Sequence, residues 1–223
     1  MPANYDVITF DCYGTLIDWE RGIVDAFTRA AGASGVVLDP AAVIAAYHAT
    51  EPVVEARAYR PYREVLAETA QQVATQLGWP IEKSTAQFLP ASLPDWPPFP
   101  DTNAALERLA AAGYRLGILS NVDDDLLSAT RRHFSVPIDL VITAQQVGSY
   151  KPAHGHFLEA RERIGGLIWL HAAQSYMHDV VPATALGVPV VWVNRKHEPL
   201  PEDGREPLAE VATLAELADW LGV

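Results

Sequence analysis

Asp11 and Thr15 follow an apolar run that ends at Phe10, and Ser120 and Asn121 follow a second run. Lys151 lies in the loop after a third, and Gln174, Ser175 and Asp179 follow a fourth. Carboxylates and lysines attack, carry charge and move protons, and hydroxyls and amides hold what is attacked. Taken singly, Ser120, Asn121 and Asp179 read as helix caps and Lys151-Pro152 as a surface turn. At four successive strand ends together they read as one site, with two carboxylates, a lysine and several hydroxyls converging. In an open parallel sheet that site is the crevice at the carboxyl ends of the strands.

The apolar runs supply the elements that must position these residues. Residues 5–11 read as a first strand, and 114–120, 138–143, 167–173 and 188–193 as four more. All are near-continuous apolar runs, as in strands covered on both faces. Helices are expected from an Asp18 cap to Ala31, from Asp101 to a stop at Gly113, and from about 123 to His133. Others are expected around 156–164, ending at Gly187, and near 214–221. The alternation means βαβ units, an α/β fold with a parallel sheet flanked by helices. From Asp39-Pro40 to about Leu93 the pattern is helical throughout. It runs into "PASLPDWPPFPD", with five prolines between Pro90 and Pro100, which reads as an extended connector. The expected organisation is a core of residues 1–16 and 98–223 with an inserted helical cap over 17–97.

Bulk properties narrow the function. With 223 residues, 49% of them hydrophobic and 20% charged, the chain can bury a sizeable core. Its net charge of −12 argues against nucleic acid or an anionic membrane as partner. A small anionic substrate would need local cations and N–H groups to oppose that field. The single Cys12 permits no internal disulfide. The first residues lack the regions of a signal peptide, and no apolar stretch approaches the roughly 18 residues of a membrane span. A cytoplasmic location is expected, and the oligomeric state, a homodimer included, is left open. There is no G-x-G-x-x-G, P-loop or G-x-S-x-G pattern. His154-x-His156 has ligand-like spacing without a third ligand and reads as a helix start.

Asp-x-Tyr-Gly-Thr-Leu, then "LSN" after an apolar strand, then "YKP", then "HDVVPATALG" together resemble the haloacid dehalogenase superfamily over nearly the whole chain. The resemblance implies a Rossmann-like core, a cap domain and Asp11 as nucleophile. Thr15, Ser120, Asn121, Lys151 and Asp179 match the other site positions. Most superfamily members resemble phosphatases with a second Asp two residues after the first, a general acid that protonates the leaving alkoxide. Here that residue is Tyr13, as in the L-2-haloacid dehalogenases, and a halide needs no proton to leave.

The implied reaction is displacement of halide from C2 of a 2-haloalkanoate by Asp11, followed by hydrolysis of the aspartyl ester to a 2-hydroxy acid. Lys151 would hold Asp11 ionised, and Asp179 and Ser175 would serve the hydrolytic step. Tyr13, Thr15, Ser120, Asn121 and a cap arginine would contact substrate, with Arg60 first and Arg21 and Arg63 behind it. Where the dehalogenases carry Ser-Ser-Asn, this chain has Gln174-Ser175-Tyr176, with His178 either standing in for the Asn or packing. No metal or other cofactor is expected. Two alternatives stay open. One is a phosphatase holding magnesium through Asp11, the Tyr13 carbonyl and Asp179, and the other is a catalytically silent binding protein on this fold. Replacing Lys151, read as a sheet-edge residue, is expected to leave the fold largely intact.

Overall fold

A computed structural model describes residues 5–223. Strand β1 (Val7–Phe10) comes first and is followed by helices α1 (Trp19–Gly32), α2 (Pro40–Glu55), α3 (Tyr62–Gln76) and α4 (Phe88–Ser92). Then come α5 (Thr102–Ala111), β2 (Arg115–Ser120), α6 (Asp124–Thr130), β3 (Leu140–Thr143), α7 (Ala144–Val147) and α8 (Gly155–Ile164). The chain continues through β4 (Trp169–Ala173), a π-helical turn at Tyr176–Val180, α9 (Val181–Ala185), β5 (Val190–Val193), β6 (Ala209–Val211) and α10 (Leu214–Leu221).

By contacts the chain divides into two units. One comprises the residues through Ile17 with Pro98–Asn121 and Arg132–Val223, and the other comprises Asp18–Pro97 with Val122–Arg131. The first, the core unit, contains one six-stranded sheet in the order β3-β2-β1-β4-β5-β6 with every pairing parallel. Strand order reverses beside β1, so the crevice where ligands bind such sheets opens at its carboxyl end. Phe10 pairs with Ile118 on one side and Ala172 on the other, and Ser120 pairs with Thr143. That register brings Asp11, Ser120 and the residues after Ala173 to one edge.

The strands are buried on both faces, which is why they read as unbroken apolar runs. Val7, Leu119, Ile142, Phe157, Trp169, Val180 and Trp192 belong to one apolar cluster that joins strands to helices. Gly117 lets three strands approach closely, since a Cβ there would lie 3.0 Å from both Leu140 Cβ and Thr9 Cγ2. β6 falls outside the expected pattern, because three residues are too few to display a strand period.

The second unit is helical. Asp18 caps α1, and Asp39 caps α2 ahead of Pro40 at its first position. Pro61 precedes α3 and offers no side-chain cap. Asp123 does that work from far along the chain, accepting from Tyr62 N at 2.7 Å and Arg63 N at 3.0 Å. This tie groups Val122–Arg131 with the helical unit and not with the expected core. The proline-dense segment is also not wholly extended. Phe88–Ser92 is α-helical and Leu93–Asp95 forms a 3₁₀ turn, because Pro90 and Pro94 sit in first turns whose N–H groups have no intrahelical partner. Among the described residues no helix is long and apolar enough to cross a membrane.

Candidate active site

Lys151 is the centre of the strand-end cluster. Its side chain is 1% exposed, and its ammonium donates to Asp11 Oδ1 at 2.9 Å, Asp179 Oδ1 at 2.7 Å and the Leu119 carbonyl at 2.9 Å. Three donors meet three acceptors, so the ammonium is fully used in orienting two carboxylates. The loop carrying it is clamped by Asn121. Lys151 N–H donates to Asn121 Oδ1 at 2.7 Å, and Asn121 Nδ2 donates to the Lys151 carbonyl at 3.0 Å.

Asp11 sits directly after β1. Its second oxygen accepts from Thr15 Oγ1 at 3.0 Å, and Thr15 Oγ1 accepts in turn from Gln174 N at 2.9 Å. The turn between them uses Gly14 at φ 104, which a side chain would strain. Arg195 steadies that turn by donating to the Thr15 carbonyl at 2.8 Å while stacked 4.0 Å above the Phe99 ring. Tyr13 lies half-buried in the same turn.

The electrostatics follow from two carboxylates sharing one cation out of water. Burial alone would lower the Lys151 pKa, but Asp11 and Asp179 outweigh it and raise it, so Lys151 stays charged. Burial would raise Asp179, yet the Lys151 charge and the His171 hydrogen bond prevail and hold it down at about 2. Asp11 moves the other way. Burial, with the Asp179 charge added, raises its pKa above the ordinary aspartate value despite Lys151 and Thr15.

The expected site residues divide by what they touch. Asp11, Thr15, Lys151 and Asp179 form one bonded cluster, and Asn121 fixes its loop. Ser120 is fully buried, and its hydroxyl has no hydrogen-bond partner among the described residues. Ser175 caps the Tyr176–Val180 turn, accepting from His178 N at 3.1 Å and lying 3.1 Å from His178 Nδ1. Burial lowers the His178 pKa. The arginines belong to the helical unit and each has an acidic partner there. Arg60 pairs with Glu68 at 2.7 Å, Arg63 with Asp123 at 3.0 Å and with Asp125, and Arg21 with Asp25 at 3.9 Å.

Two histidines are buried beside the cluster: His156, read from the sequence as part of a helix start, and His171, which sequence reasoning missed. His156, on α8, is 3.0 Å through Nε2 from the Ser120 carbonyl, and burial with the Lys151 charge pulls its pKa down to about 4. It is therefore neutral near pH 7, with Nε2–H as the donor. His171, inside β4, is 3.0 Å through Nε2 from Asp179 Oδ1. The available signal was a lone imidazole within "LIWLHAA", a polar group that a buried strand must satisfy.

Residues 5–177 match the family model described as haloacid dehalogenase-like hydrolase. The chain is 28% identical over 220 residues to the (S)-2-haloacid dehalogenase H-109 of Pseudomonas putida, with 96% of each chain covered. It is 29% identical over 229 residues to the phosphoglycolate phosphatase of Rhodospirillum rubrum, covering 96% of this chain and 90% of that one. The L-2-haloacid dehalogenase of Xanthobacter autotrophicus with chloropropionic acid covalently bound shares the fold. Its TM-score is 0.83 at 20% identity, over 98% of this chain and 99% of that one.

Proposed function

The chain belongs to the haloacid dehalogenase-like hydrolase family, and on that premise we propose that it hydrolyses a 2-haloalkanoate through an ester on Asp11. Asp11 attacks C2 and its oxygen bonds to that carbon as the carbon–halogen bond breaks, so halide leaves with the bonding pair. Water then attacks the ester carbonyl carbon of Asp11 with Asp179 as proton acceptor, and the 2-hydroxy acid departs. Lys151 keeps both carboxylates ionised and aimed. The Ser120 hydroxyl donates to the substrate carboxylate.

The observation that carries this reading is Tyr13. A phosphate ester releases an alkoxide that must be protonated, and a phenol with an ordinary pKa of about 10 is a poor proton donor at neutral pH. A halide leaves without a proton. The phosphatase alternative draws support from the Rhodospirillum rubrum relative. Its cation site is a poor fit. The Lys151 ammonium already bridges the two carboxylates that would be its ligands, at 2.9 Å from Asp11 Oδ1 and 2.7 Å from Asp179 Oδ1. The proposed chemistry runs through no cofactor.

The test compares halide release from L-2-chloropropionate with phosphate release from an aryl phosphate, each with a chelator and with added magnesium. Halide release indifferent to both additions is expected. Phosphate release that requires magnesium, with no halide formed, would overturn the reading. Neither activity would support the silent binding protein.

A further inference from the structure

His171 is joined to Asp179 by a chain of hydrogen bonds whose direction is set at its far end. Trp169 Nε1 donates to Thr9 Oγ1 at 2.6 Å, and it can only donate. Thr9 Oγ1 lies 2.8 Å from His171 Nδ1, and His171 Nε2 lies 3.0 Å from Asp179 Oδ1. One of the two Thr9 lone pairs is engaged by the indole, the hydroxyl hydrogen has Nδ1 as an acceptor in reach, and the ionised Asp179 facing Nε2 can only accept. Nδ1 is then unprotonated and Nε2 carries the hydrogen, aimed at Asp179. An imidazolium would instead point Nδ1–H at Thr9 and leave the hydroxyl hydrogen without this acceptor. The Phe157 ring packs edge-on to the imidazole at 5.1 Å and fixes its plane. All four polar residues are buried in the core unit, on β1, β4 and the turn that follows.

The consequence falls on Asp179. Its Oδ1 accepts from both Lys151 and His171, whereas its Oδ2 is buried with no partner among the described residues. One bond to Oδ1 leaves a carboxylate free to swing about it, and two converging donors fix its plane. We propose that the Trp169–Thr9–His171 chain is a positioning device for Asp179, holding Oδ2 as the proton acceptor for the water that cleaves the Asp11 ester. The assignment rests on the ester mechanism above. In that step the water oxygen bonds to the Asp11 carbonyl carbon while one proton passes to Oδ2. The carbon–oxygen bond to the substrate then breaks, the proton passes to the departing alkoxide, and the second water proton goes to solvent as Asp11 becomes a carboxylate again. His171 touches no reacting atom and acts through Asp179. Halide displacement does not use Asp179 as a base, so loss of His171 affects the second step selectively.

The experiment has two arms. In the first, ¹⁵N NMR of the imidazoles, assigned with His171→Gln, reads the wild-type tautomer without substrate. Neutral imidazole with the hydrogen on Nε2 is expected near neutral pH, with the lock relaxed in Thr9→Val. A hydrogen on Nδ1, or an imidazolium, would overturn the proposal. In the second, enzyme is mixed with L-2-chloropropionate, and halide, hydroxy acid and intact-protein mass are followed. His171→Phe should give one halide per site at near-normal rate and accumulate the ester, with hydroxy acid formed about 10–100-fold more slowly, the scale of a misplaced catalytic group. His171→Gln, which can still donate to Asp179, should restore part of that rate. Equal slowing of both steps, or no slowing of the second, would overturn it. If His171→Phe fails to fold, Thr9→Val is judged by the same criteria. If the wild type releases no halide, the ester mechanism fails, and the tautomer arm alone decides whether the chain positions Asp179.

Discussion

Replacing Lys151 with Met removes the charge while keeping most of the stem, and the structure sets the size of the effect. The lost ammonium made bonds of 2.9, 2.7 and 2.9 Å to Asp11, Asp179 and the Leu119 carbonyl, all out of water. Breaking a buried ion pair from one side costs about 3–5 kcal/mol, because an uncompensated charge stays behind. Here two carboxylates stay behind. Against a total stability of about 5–15 kcal/mol the loss is large. With a urea m-value near the upper end of about 1–3 kcal/mol/M, the unfolding midpoint should fall by about 1–2 M.

The pH dependence is the sharper signature. In the wild type Asp179 has a folded pKa pulled down to about 2, so its contribution is present above the unfolded value and is lost as pH falls towards that figure. In Lys151→Met both carboxylates lose their cation, and burial raises their folded pKa values above the unfolded ones. The folded state then binds more protons than the unfolded state, so stability rises as pH falls through that window. The variant should therefore be less stable at about pH 8 than at about pH 5. Adding Asp179→Asn should recover part of the loss at the higher pH. The assay is urea unfolding followed by tryptophan fluorescence and by circular dichroism at both pH values. A loss below about 1 kcal/mol at the higher pH, the scale of an exposed ion pair, would refute the reasoning. So would a pH dependence of the opposite sign.

Asp11→Asn should abolish halide release, because an amide is a far weaker nucleophile; sustained turnover, with deamidation excluded by mass, would reject the ester. The acidic limb of single-turnover halide release should lie above the ordinary aspartate pKa, since burial raises Asp11 and the nucleophile must be ionised. Asp179→Asn removes a charge that raises Asp11 and should move that limb to lower pH, and an unmoved limb would contradict the coupling. Ser120→Ala should leave stability unchanged or slightly higher, since the buried hydroxyl has no partner among the described residues, while raising KM about 10–100-fold for a lost bond to a charged group of about 1.5–3 kcal/mol; an unchanged KM would remove Ser120 from the substrate. Asp123→Ala should cost about 2–4 kcal/mol through the lost cap on α3 and the lost Arg63 pair, read by thermal unfolding.

What was legible in the sequence depended on range. Asp11, Ser120 and Asp179 could be found because each closes or follows an apolar run, and in a parallel sheet strand ends share an edge. Lys151 was found for the same reason, but its burial was not, and the expectation that its replacement would leave the fold largely intact is corrected by a side chain only 1% exposed between two carboxylates. A Lys-Pro loop carries no local sign that its ammonium turns inward between two carboxylates. His171, Thr9 and Trp169 were invisible as a group, because strands buried on both faces show no alternation and the partners lie on β1 and β4, far apart in sequence. Only the strand order makes them neighbours. Asp123 was read as the start of its own helix, while its carboxylate caps α3, some 60 residues earlier. The helix over Phe88–Ser92 lies inside the stretch read as helical to about Leu93, but Pro90 and Pro94 were also counted into an extended connector, because proline was weighed as a breaker and not as a first-turn residue.

The donor inventory of the core unit constrains what an anionic substrate can meet there. The three Lys151 hydrogens go to Asp11, Asp179 and a carbonyl, and the Thr15 hydrogen goes to Asp11. The Asn121 amide holds the Lys151 loop, and Arg195 is divided between Asp101 and the Thr15 carbonyl. Ser120, one of the residues expected to contact substrate, keeps a buried hydroxyl without a hydrogen-bond partner among the described residues. Two carboxylates and one ammonium give the cluster a formal charge of −1, in a chain already at −12. Such a cluster opposes a substrate in proportion to its charge, so the single carboxylate of a 2-haloalkanoate meets less repulsion than a dianion. It suits a reaction in which the attacking group must stay ionised and the leaving group departs as a stable anion, expelled from a negative site. The same −1 charge would oppose a phosphoryl group carrying two negative charges of its own. The charge balance at Asp11 and the aromatic at position 13 therefore favour one leaving group by independent routes.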